Sequence, residues 1–313
     1  MSLAFVFPGQ GSQSVGMLAS LAQASPLIRA TFDEASAVLG YDLWDLCQNG
    51  PEELLNATER TQPAMVAASV ATWRLWCERG GAQPKAVAGH SLGEFSALVA
   101  AGCMEFTDAI ALVKYRGEIM QAALPAGQGA MAAVLGLEDA DVEAACREAA
   151  GDEVVEAANY NSPGQVVIAG HLGAVQRALE VAKAKGAKRA LLLPVSAPFH
   201  CSLMRGAAEL LRTRLEQVPV KPTGAIAVYG VDVRMHQSAA EIRAALVKQL
   251  ATAVYWGATL RTMIAAGFTQ FIECGPGKVL TGLNRRIDKN RDLKMMALED
   301  PASLEEALRT VKG

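Results

Sequence analysis

No stretch of this chain restricts its fold as tightly as residues 86–101. A short apolar run, residues 86–88, stops at Gly89, and an apolar helical stretch begins at Leu92. Gly89-His90-Ser91-Leu92-Gly93 therefore fits Gly-x-Ser-x-Gly between a strand and a helix, which is the setting of a nucleophile elbow. Such a turn strains the serine backbone and crowds the residues two positions to either side. Glycines at 89 and 93 relieve that crowding. The Ser91 hydroxyl then stands above a sheet, and the helix N-terminus aims its N–H groups at a developing oxyanion. The alternative is a Gly-Ser turn that merely caps a helix, and the flanking strand and helix favour the elbow.

The rest of the chain alternates strands with helices, which implies a mainly parallel sheet covered on both faces. Residues 3–7 form an apolar strand ending at Pro8-Gly9, and residues 63–79 and 108–124 read as helices. After the insert described below come a helix at 201–217, a strand at 225–229 and helices at 239–250 and from Trp256. A strand at 270–273, the turn Gly275-Pro276-Gly277 and a helix to Ile287 follow. Between Gly129 and Pro194 the order is strand 130–135, helix 139–150, strands 154–159 and 165–169, helix 172–185 and strand 189–193. That β-α-β-β-α-β order predicts a ferredoxin-like subdomain. The expected fold class is α/β. A large α/β-hydrolase-like domain, residues 1–127 and 197–313, would carry the ferredoxin-like unit as an insert at 128–196.

Charge and composition exclude several function classes. Twenty-nine basic side chains against 32 acidic ones give a net charge of −3, without the basic excess of a nucleic-acid binder. Apolar residues make up 51% of the 313, which excludes a disordered chain. No apolar run reaches the roughly 18 residues of a membrane span, and the N-terminus reads as a first strand, not a signal peptide. The six cysteines form no Cys-x-x-Cys pair, so reduced thiols in a cytoplasmic protein are expected. No metal-ligand cluster and no phosphate loop stand out.

Ser91 needs a base, and there are four histidines. His90 adjoins the serine and is read as elbow packing. His171, at a helix start, and His236, in a polar loop, are expected to be solvated. His200 lies where the chain leaves the insert and re-enters the large domain. Alone it would count as structural; beside a serine elbow it is the best base. Arg116 shares a helical stripe with Val113, Met120 and Leu124. An arginine there has either a buried salt-bridge partner or a cleft that takes an anion, for which its fork suits a carboxylate. The loop Pro8-Gly9-Gln10-Gly11-Ser12-Gln13 is either a structural glycine turn or a source of an oxyanion N–H. Lys183, Lys185, Lys188 and Arg189 form a basic group on the insert, read as a solvated helix end, with docking of an acidic carrier as the alternative.

Six segments in order resemble the malonyl-CoA:acyl carrier protein transacylase family. They are residues 7–13, Gly-His-Ser-Leu-Gly-Glu at 89–94, Tyr-Arg-Gly at 115–117, residues 161–168, Phe-His-Cys around His200, and Gly-Pro-Gly-Lys-Val-Leu at 275–280. The resemblance spans essentially the whole chain. It implies Ser91 as nucleophile, His200 as base and Arg116 as binder of the malonyl carboxylate. It also implies an oxyanion hole from the Gln10 and Leu92 backbone N–H groups, and Gln249 orienting His200 through a carbonyl. Malonyl-CoA would be a substrate, acyl carrier protein the acceptor, and no cofactor would be needed. A cytoplasmic monomer of fatty-acid synthesis is expected.

Two departures stand out. Relatives often carry asparagine near 229 and 230, where this chain has Tyr229-Gly230, which leaves that strand end without an expected substrate role. Phe199 replaces a residue that is often small in close bacterial relatives, and it is expected to narrow the pocket beside the acyl α-carbon. The rivals are a serine hydrolase or thioesterase on a carboxylated thioester, and a non-catalytic carrier-binding module. Without a carboxylate behind it, His200 is expected to titrate near the reference value of about 6.5.

Overall fold

The computed structural model describes residues 2–195 and 197–312, so Ser196, within the segment leading to His200, lies outside the described residues. In chain order the strands are β1 (Ser2–Phe7), β2 (Ala86–Gly89), β3 (Gly129–Leu135), β4 (Val155–Ser162) and β5 (Gln165–His171). Then come β6 (Arg189–Leu192), β7 (Ala227–Tyr229), β8 (Met235–His236), β9 (Phe268–Glu273) and β10 (Lys294–Ala297). They form two sheets, a six-stranded one in the order β10-β9-β1-β2-β7-β8 and a four-stranded one in the order β4-β5-β3-β6. The fold is α/β.

In the larger sheet all neighbours are parallel except β7 and β8. β1 shows why it lies at the centre. Phe5 and Phe7 enter the core on one face, while Ala4 and Val6 enter a second core on the other. Alternation between two buried faces needs a strand that is apolar throughout. Phe5 meets Trp73 and Trp76 edge-on, each with ring centres 5.2 Å away. Trp256 and Leu260 fill the opposite face. The register pairs Phe7 with Gly89, so the loops leaving β1 and β2 emerge side by side.

The smaller sheet is antiparallel throughout. Helices Asp139–Ala150 and Leu172–Ala184 bury Val142, Ala145, Val175 and Ala178 against Val134, Val166 and Ile168. Its other face sends Met131, Val167 and Ala169 into the main core. Val254 N–H donates to Ala158 and Tyr160 N–H to Val254, so β4 is fastened to the larger unit.

Several expectations need correction. The helix expected at 63–79 runs over Thr58–Glu78, with Pro63 inside it. Pro63 withdraws one N–H, but almost every residue from Thr58 to Trp76 is buried, and that packing outweighs the lost bond. Helices Ala19–Ala24, Pro26–Leu39, Leu43–Asn49 and Glu52–Leu55 fill a region that the apolar pattern left without elements. So do β8, β10 and the helix Pro301–Lys312 further on. His236 is not solvated: it lies in β8, buried, with Nε2 3.0 Å from Asp232 Oδ1. His171 ends β5, and its Nδ1 accepts from Val154 N–H at 3.0 Å. All six cysteines are unbridged, and only Cys77 is exposed. Among the described residues, no helix is long and apolar enough to cross a membrane.

Candidate active site

Ser91 sits at the turn between β2 and the helix Gly93–Ala100, with φ at 51°, a left-handed conformation that costs a non-glycine residue about 1–2 kcal/mol. The glycines around it are sterically required. A Cβ on Gly89 would collide with the Gly93 carbonyl carbon, and one on Gly93 with the Phe7 carbonyl oxygen. A Cβ on Gly9 would strike the His90 carbonyl oxygen, so the loop after β1 lies hard against the elbow.

His200, also left-handed at φ 61°, brings Nε2 to 2.6 Å from Ser91 Oγ. Its Nδ1 lies 2.8 Å from the Gln249 backbone oxygen. A carbonyl can only accept, so Nδ1 carries the proton and Nε2 is free to receive one from Ser91. Both side chains are buried. Burial and the nearby Arg116 cation push the His200 imidazole down to about 3, well below the ordinary value expected from sequence.

Arg116, on the helix Phe106–Gln121, is 1% exposed. Its guanidinium donates from one Nη to Gln62 Oε1 at 2.9 Å, and from the other to Gln249 Oε1 at 2.9 Å and Ser91 Oγ at 3.2 Å. Its Nε has no partner among the described residues, and its carbon lies 5.6 Å from the Phe95 ring centre. Among the described residues no carboxylate forms an ion pair with it, so the buried salt bridge that was the alternative does not form. Burial lowers the guanidinium to about 10, which leaves it charged at neutral pH.

Gln249 joins these groups. Besides its backbone contact to His200 and its Oε1 contact to Arg116, its Nε2 donates to the Ser91 carbonyl at 3.2 Å and to Glu94 Oε2. Leu92 caps the helix Gly93–Ala100, and Gln10 lies in the loop pressed on the elbow. Neither backbone N–H has an intramolecular acceptor among the described residues. Phe199, beside His200, is buried in the main core. His90 packs at the elbow as expected, 5.7 Å from Trp256 between ring centres, and its Nε2 is 2.8 Å from Asn161 Oδ1. That contact ties the β4–β5 hairpin to the elbow.

Residue reasoning missed Gln62, Glu94 and Asn161. Glu94 and Asn161 lie within two of the six matched segments, where their types alone could have raised them. Gln62 gave no signal, because the helix was expected to start one residue after it. Of the basic group on the insert, Lys183 pairs with Glu180 at 2.7 Å and Lys185 with Glu148 at 3.3 Å, as befits a solvated helix end. No group of three or more His, Cys, Asp or Glu side chains is placed to hold a metal among the described residues.

The site thus brings a buried serine between an imidazole and a buried guanidinium with no carboxylate in direct contact among the described residues. Comparison with known proteins agrees with this geometry. The model of the acyl transferase domain family matches residues 4–298. A malonyl CoA-acyl carrier protein transacylase of Salmonella typhimurium is 54% identical over 305 residues, covering 97% of this chain and 98% of its own. The structure of the malonyl CoA-acyl carrier protein transacylase of Coxiella burnetii superposes with a TM-score of 0.97 at 45% identity, covering 100% of this chain and 98% of that one. A malonyl-transacylase solved in complex with its type II PKS acyl-carrier protein gives a TM-score of 0.96 at 52% identity, covering 99% and 100%. By its elbow, its fold and this full-length similarity, the chain belongs to the malonyl CoA-acyl carrier protein transacylase family of acyl transferases.

Proposed function

We propose that this chain transfers the malonyl group of malonyl-CoA to the phosphopantetheine thiol of acyl carrier protein, through a malonyl ester of Ser91. The observation that carries this reading is the Arg116 guanidinium, buried with no carboxylate in direct contact among the described residues and 3.2 Å from Ser91 Oγ. Glu94 acts on this cation only at a distance, and a buried cation without a direct ion-pair partner is costly; a substrate carboxylate bound as a two-pronged ion pair offsets that cost. A hydrolase acting on neutral esters needs no such group.

The steps are those of a ping-pong exchange. Ser91 Oγ attacks the thioester carbonyl carbon as His200 Nε2 takes its proton. The Gln10 and Leu92 N–H groups stabilise the oxyanion, and the Gln249 backbone carbonyl holds His200 in the reactive tautomer. The C–S bond breaks, and CoA leaves with the proton from His200. The carrier thiol then gives its proton to His200 and attacks the malonyl ester, and Ser91 recovers its hydroxyl proton as the C–O bond breaks. No cofactor takes part. The solved relative held with its acyl-carrier protein supports the acceptor class.

We also assign residues 128–196 to a ferredoxin-like subdomain set into an α/β-hydrolase-like domain of residues 1–127 and 197–313. The strand and helix order and the separate hydrophobic cluster of the smaller sheet support this division. We also assign action in the cytoplasm, as a monomer, a reading that the family resemblance supports. Intact-protein mass spectrometry after mixing with malonyl-CoA tests the reading. The expected result is one malonyl adduct, on Ser91, that acyl carrier protein removes far faster than water, and that Ser91→Ala does not form. An adduct elsewhere, or loss to water as fast as to carrier, would contradict it.

A further inference from the structure

Glu94 is 4% exposed, in the first turn of the helix Gly93–Ala100. A carboxylate so deeply placed needs donors on both oxygens, and it has them from two different elements. Oε1 accepts from Val231 N–H, just beyond β7, at 2.6 Å. Oε2 accepts from Gln249 Nε2, on the helix Ala239–Leu250. The second Nε2 hydrogen of Gln249 faces the Ser91 carbonyl at 3.2 Å. With both amide hydrogens committed, Gln249 can only turn Oε1 towards Arg116, where it accepts at 2.9 Å. A reversed amide would set an NH₂ group against the guanidinium.

We infer that Glu94 is a positioning residue, which acts through the Gln249 side chain to fix the Arg116 fork beside Ser91. The effect falls on the fork and on the Ser91 carbonyl, which also loses its Gln249 donor, and it leaves the base in place. His200 is oriented by the Gln249 backbone oxygen, which side-chain rotation does not move. Loss of Glu94 should therefore weaken selection of a carboxylated acyl group more than it weakens acyl transfer as such. This inference rests on the malonyl-transfer reading.

Glu94→Gln is the direct test. Its single oxygen must stay on Val231 N–H, which leaves an NH₂ facing Gln249. The Gln249 amide must then reverse, and its NH₂ meets Arg116. Single-turnover acylation of Ser91 should fall about 10-fold with malonyl-CoA, mainly through KM, and less than about 3-fold with acetyl-CoA. In a Gln249→Leu background, where no amide remains to be reversed, adding Glu94→Gln should leave the malonyl-to-acetyl ratio unchanged.

An equal fall for both donors, no fall, or an undiminished effect in the Gln249→Leu background would overturn the inference. If Glu94→Gln does not fold by circular dichroism, Glu94→Asp carries the same comparison, because a shorter carboxylate cannot span both donors. Failure of the wild-type protein to form a malonyl adduct would refute the functional reading instead, so the two failures are distinguishable.

Discussion

His200 can take the Ser91 proton through Nε2 because its Nδ1–H is committed to the Gln249 carbonyl. Removing it, as His200→Ala, should slow acylation by roughly 10²–10⁴-fold, as measured by quenched-flow mass spectrometry. The pH dependence follows from the direction of its shift. A folded-state value lowered to about 3 keeps the neutral, basic form present throughout the range above it, and activity is lost only as pH falls towards that value. Single-turnover acylation by acetyl-CoA, which does not engage the Arg116 fork, should therefore be level from about pH 8 to pH 5, not declining below the reference value of about 6.5. A midpoint near 6.5 would mean that burial and Arg116 do not act on this imidazole as described. Phe199, buried next to the base, should hinder an α-methyl branch. One methyl is worth only about 1–3 kcal/mol, so Phe199→Ser should raise methylmalonyl relative to malonyl transfer by roughly 10-fold. An unchanged ratio would show that the residue does not shape the pocket.

The elbow works as an element because three glycines let two loops and a helix meet without side chains between them. Gly93→Ala would press a methyl into the Phe7 carbonyl, on backbone that cannot yield cheaply. It should lower stability by about 1–3 kcal/mol or more and displace the loop that carries Gln10, so both unfolding temperature and acylation should fall. Retention of both would disprove the close approach. The same element was legible in the sequence because its signals are local: a short apolar run, two glycines at fixed spacing and an apolar helix. The helix Pro26–Leu39 had comparable signals, with Ser25 capping it, Pro26 opening it and Gly40 closing it, yet it stayed unread. Its short neighbours lack such punctuation. Pro63 misled in the opposite sense, as a residue that usually opens helices. Ser91, His200 and Arg116 could be reached from spacing. Gln249 came only by resemblance, since its role depends on a backbone oxygen contributed by a helix 49 residues beyond His200. Gln62 was hidden because nothing local marks a glutamine that ends on a distant guanidinium.

At the scale of the whole molecule, the central sheet assembles the site from five separate parts of the chain. β1 and β2 deliver Gln10 and Ser91, the return from the smaller sheet delivers His200, and flanking helices deliver Arg116 and Gln249. Burial of polar groups in that core should also shape its stability. Glu273, at the end of β9, accepts from Leu280 and Thr281 N–H, and burial pushes it up to about 7. Its folded value lies above the unfolded one. Its contribution is therefore full below about 4.5 and is lost as pH rises through about 7. The stability advantage of the wild type over Glu273→Gln, measured by urea unfolding, should shrink between pH 5 and pH 8; an advantage that grows would reverse the assignment. The central claim is that this core holds a cation without a direct ion-pair partner beside Ser91 for the sake of a substrate carboxylate. Comparison of malonyl and acetyl loading of Ser91 in Arg116→Ala tests it most directly. A charged hydrogen-bonded contact contributes about 1.5–3 kcal/mol, so malonyl loading should fall roughly 10–100-fold while acetyl loading stays level or rises. An equal fall for both donors would make Arg116 a structural residue and contradict the claim.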